Sequence, residues 1–312
     1  MGRPKVAIFA SISPAARERL EQVADIVPAG RVDESEGIYL DSETAVDAAF
    51  LERAPRLRAI ASKSVGYDLV DVEELTRRGI PFSNARGSLT ETVADLILAL
   101  ILMVMRNLSH DIDWVRSGQW MKDQPPLAVD PAGKLLGIVG MGAIGSALAK
   151  RARACGMEIA YHNRARRAND AEAGATYLAF DDLLRRADCI ALTLPLTAET
   201  KGKFGVREFA LMKPTAFFVN GARGKIVDTG ALYDALANKR LAGAALDVTE
   251  PEPLPPDHPL LSLPNVIVTP HIASATNETR NRMALLAVEN LIAALDGKPM
   301  PTAVNFKAYQ TA

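Results

Sequence analysis

The stretch Gly140-Met141-Gly142-Ala143-Ile144-Gly145 decides which fold the sequence predicts. It follows the strand-like run Leu135–Val139 and precedes a helical stretch, Ser146–Ala154. In a dinucleotide-binding fold the first glycine permits a tight turn, the second lets the backbone approach the pyrophosphate, and the third lets helix and strand pack closely. The helix N-terminus then offers N–H groups to the phosphates.

A glycine-rich turn without a ligand is the alternative, but the order strand, glycines, helix favours a dinucleotide site. The predicted cofactor contacts in this loop are Gly140, Gly142, Ala143, Ile144 and Gly145.

Short β-branched runs alternate with helical stretches on both sides of this loop, which predicts an α/β fold with parallel sheets. The chain has 312 residues, a length that suggests two domains. The mostly apolar helix predicted at Thr90–Arg106 is long enough to lead from one domain to the next. A last helix near Thr276–Leu295 is long enough to pack back on the first domain. Further strands are predicted at Lys5–Ala10, Arg58–Ala61, Pro81–Ser83, Glu158–Tyr161, Cys189–Thr193, Ala216–Asn220, Gly243–Asp247 and Val266–Thr269.

The segment after the second strand of the cofactor domain indicates which dinucleotide is bound. An acid that binds the ribose hydroxyls is expected about 20 residues after the glycines. The segment Ile159–Arg167 has no acid and carries three arginines. Guanidinium groups can bind a 2′-phosphate, whereas a carboxylate would repel it. We therefore predict NADP(H) as the preferred cofactor, with NAD(H) possible, and assign Asn163, Arg164 and Arg166 to its binding. The alternative is a solvated basic loop.

Three later strands end in ionisable residues that suit hydride chemistry. Arg223 follows Phe217–Asn220, Glu252 follows Ala245–Asp247, and His271 follows Val266–Thr269. In parallel α/β sheets, ligands bind beyond the carboxyl ends of the strands, so these groups are expected to converge. A histidine can exchange a proton with a carbonyl oxygen near neutral pH, a glutamate can orient it, and an arginine can pair with a substrate carboxylate. Taken singly, each has an alternative: a surface ion pair, a solvated loop acid, or a turn cap.

With these motifs the sequence resembles the D-isomer-specific 2-hydroxyacid dehydrogenases over nearly its whole length. The resemblance rests on Gly140–Gly145, Val219–Asp228, Asp247–Pro253 and Thr269-Pro270-His271. It implies that Arg223, Glu252 and His271 are the catalytic residues. Glu252 is chosen over Glu250 because the family's acid directly precedes the second proline of its segment.

The resemblance also implies further site residues. The stretch Ser64–Asp68 is similar to the family's substrate loop, in which the backbone N–H groups of Val65 and Gly66 receive the substrate carboxylate together with Arg223. Additional cofactor contacts are expected at Pro195, Thr200, Asp247 and Thr92. One departure from the family is Ala273, where glycine is usual. The other is the missing ribose acid, a feature shared with the family's NADP-preferring glyoxylate and hydroxypyruvate reductases.

The fold implied by the resemblance comprises two flavodoxin- or Rossmann-like domains, the cofactor domain being inserted into a discontinuous substrate domain. We place the cofactor domain at residues 99–287 and the substrate domain at 1–98 and 288–312. Members of the family are usually dimers through the cofactor domain and its long first helix. A homodimer of this kind would account for the apolar run Leu96–Met105.

The function expected from these features is reduction of a small 2-keto acid, glyoxylate or hydroxypyruvate, by NADPH. Two alternatives stay open. One is an NAD-dependent dehydrogenase for another acid, such as 3-phosphoglycerate or D-lactate. The other is a dinucleotide-sensing, corepressor-like binding protein, which would bind the cofactor without turning over a 2-keto acid.

Composition argues against several other classes of protein. The formal net charge of −1 gives no electrostatic basis for binding nucleic acid or a membrane surface. The two cysteines, Cys155 and Cys189, cannot form a disulfide framework or a zinc site, and we predict no metal. The apolar run at Lys5–Ala10 is too short for a secretory signal, so a cytoplasmic location is expected.

Overall fold

The computed structural model describes residues 2–167 and 174–310. The chain divides into two compact units. Unit 1 comprises the chain up to Leu89 and from Ala275 onward, and unit 2 comprises Thr90–Ser274. The predicted boundaries at 98/99 and 287/288 need correction, because each would cut through a helix. The helix Thr90–Met105 lies entirely in unit 2, and the helix Asn277–Leu295 lies entirely in unit 1. Each buries its apolar face within its own unit.

Unit 1 is built on a parallel sheet with strand order β2-β1-β3-β4-β5. This is the flavodoxin-like order, in which the chain reverses direction across the sheet between β1 and β3. The last helix packs on α1, β3 and β4, as predicted. The elements of the unit are β1 (Lys5–Ile8), α1 (Pro14–Glu21), β2 (Asp25–Pro28), β3 (Gly37–Leu40), α2 (Ala48–Glu52), β4 (Ala59–Ser62), α3 (Val72–Arg77), β5 (Phe82–Ser83) and α10 (Asn277–Leu295).

The central strands β3 and β4 of unit 1 are buried on both faces. Successive residues of a strand point to opposite sides of the sheet. Tyr39 accordingly joins the apolar cluster that contains residues of α1 and α10, while its neighbours Ile38 and Leu40 join the cluster that contains residues of α2 and α3. Helices therefore cover both faces, as a doubly wound parallel sheet requires.

Unit 2 is built on a larger parallel sheet with strand order β8-β7-β6-β9-β10-β11-β12. Its first six strands have the Rossmann order 3-2-1-4-5-6. The α/β fold class is thereby confirmed for both units. The elements are α4 (Thr90–Met105), α5 (Leu108–Arg116), β6 (Leu135–Val139), α6 (Ala143–Ala154), β7 (Glu158–His162), β8 (Thr176–Tyr177), α7 (Phe180–Arg186), β9 (Cys189–Leu192), α8 (Val206–Leu211), β10 (Phe217–Asn220), α9 (Thr229–Ala237), β11 (Gly243–Leu246) and β12 (Val266–Val268).

The apolar helix α4 is a core element of unit 2. It packs on α6, β10 and β11, and residues such as Ile97 and Leu100 are fully buried. Gly221 permits this contact, because a Cβ atom there would lie 2.6 Å from the Ile97 side chain. Packing inside the unit therefore explains most of the apolar run that the sequence analysis assigned to a dimer interface. The neighbouring helix α5 differs, since none of its residues is buried and Ile112 and Val115 are exposed.

Among the described residues, no single helix is long and apolar enough to cross a membrane. Only α4 and α5 taken together reach that length and composition, and they are bent by 61° at their junction.

Candidate active site

The glycine loop between β6 and α6 has the geometry that close backbone packing requires. Gly140 has a φ of +106°, and a Cβ atom there would lie 2.7 Å from the backbone nitrogen of Leu194. A Cβ atom on Gly145 would lie 2.4 Å from the carbonyl oxygen of Gly140. Gly142 differs, because nothing lies within 4 Å of the position its Cβ would take. The first and third glycines thus serve packing, whereas the second leaves room for a ligand.

The first turn of α6 presents unused hydrogen-bond donors next to that open position. Gly142 is the N-cap residue and supplies no side-chain cap. The backbone N–H groups of Ala143, Ile144 and Gly145 donate to no acceptor in the part of the chain that the structure describes. Such donors, together with the positive end of the helix dipole, form an anion site. The residues present therefore fit a dinucleotide pyrophosphate.

The segment after β7 partly holds this loop in place. The side-chain oxygen of Asn163 accepts a hydrogen bond of 2.7 Å from the backbone N–H of Met141. Arg167 donates to the carbonyl oxygen of Met141, over 2.9 Å, and to Ser146 Oγ. Asn163, predicted as a cofactor contact, therefore has its side-chain oxygen committed to the loop. The sequence analysis assigned Arg167 no role, because chain position alone does not show that its side chain folds back onto the loop.

The other two arginines of this segment are exposed. The guanidinium group of Arg164 lies 3.2 Å from the carboxylate of Glu199, and its side chain is 88% exposed. Arg166 is exposed as well. Both side chains therefore lie at the surface at this edge of the sheet, whereas Arg167 is half-buried.

Three further predicted cofactor contacts are Pro195 and Thr200, on the loop after β9, and Thr92, on α4. Thr200 Oγ1 donates 2.7 Å to the carbonyl oxygen of Pro195 and accepts from the N–H of Thr197, so it stabilises the loop. Thr193, which the sequence analysis did not single out, donates from Oγ1 to the carbonyl oxygen of Gly140 over 2.7 Å. Thr92 lies half-buried in the first turn of α4.

Glu252 and His271 form a direct hydrogen bond at the carboxyl edge of the unit 2 sheet. His271 Nδ1 lies 2.5 Å from Glu252 Oε1. The hydrogen bond with His271 holds the pKa of Glu252 below its ordinary value of 4.5, against the opposing effect of burial. The positive charge of Arg223 adds to the lowering. Arg223 therefore lies within electrostatic range of the pair, and the three residues that the sequence predicted to converge do so.

A tight backbone contact brings the Arg223 loop against the Glu252 loop. A Cβ atom on Gly224 would lie 1.8 Å from the carbonyl oxygen of Thr249, so only glycine fits there. Asn220, at the end of β10, shapes the Arg223 loop with both atoms of its amide. Its nitrogen donates to the carbonyl oxygen of Arg223 over 3.0 Å, and its oxygen accepts from the N–H of Ala222 over 3.0 Å.

Asp247 organises the turn that carries His271. His271 has a φ of +52°, the left-handed region that non-glycine residues rarely adopt. The buried carboxylate of Asp247 accepts from Thr269 Oγ1 over 2.6 Å, and from the N–H groups of Ile272 and Ala273 over 2.9 Å each. The cofactor contact assigned to Asp247 stays a prediction. Its carboxylate oxygens stabilise the turn that carries His271.

The predicted substrate loop lies in unit 1, after β4. Asn84 Nδ2 donates 2.7 Å to the carbonyl oxygen of Val65, and the N–H of Ala85 donates 3.0 Å to the carbonyl oxygen of Ser64. Val65 and Gly66 are half-buried, and their N–H groups donate to no acceptor within the described ranges. Two adjacent unused donors of this kind can receive a carboxylate.

No group of three or more His, Cys, Asp or Glu side chains that could hold a metal ion occurs within residues 2–167 and 174–310. The two cysteines are free thiols, and burial raises the pKa of the Cys189 thiol well above its ordinary value.

Comparison with known proteins agrees with this geometry. Residues 98–273 match the family model of the D-isomer specific 2-hydroxyacid dehydrogenase NAD binding domain. The chain is 43% identical to a glyoxylate reductase of Aeropyrum pernix, over 98% of this chain and 97% of that protein. It is 44% identical to a glyoxylate/hydroxypyruvate reductase B of Klebsiella pneumoniae, over 97% of this chain and 98% of that protein.

Among solved structures, the chain is similar to an NADPH-dependent glyoxylate/hydroxypyruvate reductase from Sinorhizobium meliloti in complex with NADP and malonate. The TM-score is 0.89 and the identity 34%, over 98% of both chains. The glycine loop, the Glu252–His271 pair and these similarities agree, and the chain belongs to the D-isomer specific 2-hydroxyacid dehydrogenase family.

Proposed function

We propose that this protein reduces a small 2-keto acid, glyoxylate or hydroxypyruvate, to the 2-hydroxy acid, with NADPH as the preferred reductant and NADH as a possible one. One observation carries the proposal. The hydrogen-bonded Glu252–His271 pair, with Arg223 in electrostatic range, lies on the same sheet edge as a glycine loop built for a dinucleotide. The relatives named as glyoxylate and hydroxypyruvate reductases support the choice of substrate.

The chain's own residues supply acid catalysis and substrate binding, while the reduced nicotinamide supplies the hydride that reaches the keto carbon. His271 bonds Glu252 through Nδ1, so Nε2 is the nitrogen left to give a proton to the keto oxygen. Glu252 orients the ring through this hydrogen bond. Arg223 pairs with the substrate carboxylate. In unit 1, the N–H groups of Val65 and Gly66 are donors that can receive a carboxylate.

Preference for NADPH follows from the charges at the end of β7. No acid stands in the segment Ile159–Arg167, while Arg164 and Arg166 are exposed there. The similar reductase from Sinorhizobium meliloti, which is NADPH-dependent and was solved in complex with NADP, supports the same preference.

The test is a panel of 2-keto acids assayed with NADPH and NADH in parallel, using wild type and His271→Asn. We expect NADPH-dependent reduction of glyoxylate or hydroxypyruvate, and a loss of turnover of about 10²–10⁴-fold in the variant, the usual contribution of a positioned acid. Cofactor binding by the variant, followed by fluorescence, should be unchanged. Intact turnover in His271→Asn would refute its role as proton donor. Cofactor binding without any turnover in wild type would instead indicate a sensor.

We also infer a homodimer in which the second copy covers the exposed apolar side chains of α5 and the following segment. Large exposed apolar patches on a folded protein indicate interaction surfaces. The exposed apolar side chains here are Leu108, Ile112, Val115, Trp120, Met121 and Leu127. All lie in unit 2, the cofactor-binding unit.

A further inference from the structure

Lys63 is a buried lysine at the carboxyl edge of the unit 1 sheet. It directly follows β4 and is 8% exposed. Its ammonium group donates to the carbonyl oxygen of Ser11 over 3.0 Å and to Ser11 Oγ over 2.6 Å. Ser11 follows β1, and β3 lies between β1 and β4 in the sheet. The Lys63 side chain therefore reaches across the end of β3.

This position is the topological switch point of unit 1. The strand order reverses between β1 and β3, and ligands of open α/β sheets bind beyond the carboxyl ends of the strands at such a reversal. The unused N–H groups of Val65 and Gly66 follow two and three residues after Lys63 on the same edge. The lysine thus shares the edge at which the substrate carboxylate is proposed to bind.

The surroundings leave the ammonium group of Lys63 without a full set of partners. Within the described residues it forms no ion pair and has no hydrogen-bond acceptor besides Ser11. Two neutral oxygens therefore occupy two of its three N–H donors. Burial lowers its pKa, an effect that the nearby charge of Arg280 reinforces and those of Asp41 and Glu43 oppose. A buried cation with an unused donor costs free energy unless another oxygen reaches it.

We propose that Lys63 is a specificity-determining residue that binds an oxygen substituent on C3 of the 2-keto acid, such as the hydroxyl group of hydroxypyruvate. The inference rests on the proposed function and deepens it by naming the substrate class. Glyoxylate has no C3, and pyruvate carries only a methyl group there, so neither can accept this hydrogen bond. A site built to bond a substrate hydroxyl discriminates strongly against an analogue that lacks it, because its own polar group is then left unpaired.

The test compares hydroxypyruvate, pyruvate and glyoxylate in wild type and Lys63→Met, each with NADPH. The ratio of kcat/KM for hydroxypyruvate to that for pyruvate is the readout, since this ratio does not depend on the fraction of enzyme that folds. We expect the ratio to fall by about 10–100-fold, the range for a lost hydrogen bond to a charged group. The kcat/KM for glyoxylate per folded enzyme, titrated by cofactor binding, should stay within about twofold.

Two control variants separate this role from a structural one. Lys298→Met removes an exposed lysine of the same unit and should leave the ratio unchanged. Ser11→Ala removes one acceptor of the ammonium group but keeps the lysine, so the preference for hydroxypyruvate should persist.

An unchanged ratio in Lys63→Met, or an equal loss for all three substrates, would overturn the inference. Neither result would contradict the proposed function, which requires only that wild type reduce glyoxylate or hydroxypyruvate. Failure of wild type to reduce any of the three acids would instead refute the proposed function and this inference with it.

Discussion

Glu252 is the residue whose protonation the structure constrains most directly within the site. Its hydrogen bond with His271 lowers its pKa, and this lowering means that the folded state favours the carboxylate over the acid. The carboxylate thus contributes stability above the ordinary pKa of 4.5, and that contribution is lost as the pH falls through the lower, folded-state value.

Thermal melts of wild type and Glu252→Gln across about pH 3 to pH 7 would measure this contribution. We expect a difference in Tm that is constant above about pH 5 and narrows below 4.5, as the wild-type carboxylate takes up its proton. Glu278→Gln, an exposed acid at the start of α10, serves as the control. A Tm difference that does not change with pH would contradict the argument.

Arg164 is the residue on which cofactor preference can be tested. In Arg164→Ala we expect the KM for NADPH to rise by about 10–100-fold, the range for hydrogen bonds to charged groups, with little change for NADH. The matched control is Arg185→Ala, another exposed arginine paired with acids in the same unit. Steady-state kinetics with both cofactors decide the outcome. A similar rise for both cofactors would exclude recognition of the 2′-phosphate by Arg164.

Glu199 opposes that recognition, because its carboxylate lies 3.2 Å from the Arg164 guanidinium group. An incoming 2′-phosphate therefore has to compete with a charge already paired with Arg164.

At the scale of elements, the turn after β12 illustrates how one buried side chain holds His271 in place. Asp247→Ala removes the acceptor of three hydrogen bonds, including those from the N–H groups of Ile272 and Ala273. We expect the free energy of unfolding to fall by about 2–5 kcal/mol and kcat to fall with it, since unpaired buried donors are costly.

Chemical denaturation and steady-state kinetics would check this, with Asp257→Ala, an exposed acid on the preceding loop, as the control. A folded Asp247→Ala protein with wild-type kcat would show that the His271 turn forms without it.

The elements also show how much of the fold the sequence could predict. Helix α6 and strands β6, β7, β9 and β10 were predicted to within about three residues, because the glycine loop and the β-branched runs mark them locally. Strand β3 (Gly37–Leu40) was not predicted. It is four residues long and buried on both faces, so it shows no alternation of polar and apolar residues. Helix α5 was also missed, although Leu108, Ile112 and Val115 have the spacing of a helix.

The candidate site was predictable in its residue types but not in its supporting contacts. Motif order placed Arg223, Glu252 and His271 at strand ends, and parallel strands bring such ends together. The roles of Arg167 and Thr193 depend on where a side chain folds back across a loop. Spacing along the chain carries no information on that, and the same holds for the contact between Lys63 and Ser11.

At the scale of the whole molecule, the proposed homodimer can be tested by measuring the mass of the protein in solution. We expect light scattering of the purified protein to give twice the mass of the chain, and the double variant Ile112→Asp/Val115→Asp to give a monomer, because charges on a buried apolar surface are costly. Val206→Asp, at another exposed apolar residue of unit 2, is the control and should stay a dimer. A monomeric wild type at micromolar concentration would refute the proposed interface.

The division of the chain into units also has a consequence for biosynthesis. Unit 2 is one continuous segment, Thr90–Ser274, whereas unit 1 needs α10, which the ribosome makes after unit 2. Until α10 emerges, the face of the first sheet that packs on Val288 and Leu291 is uncovered. The segment translated first is therefore the last to acquire its full core, and during that interval it is the part of the nascent chain that most needs protection from aggregation.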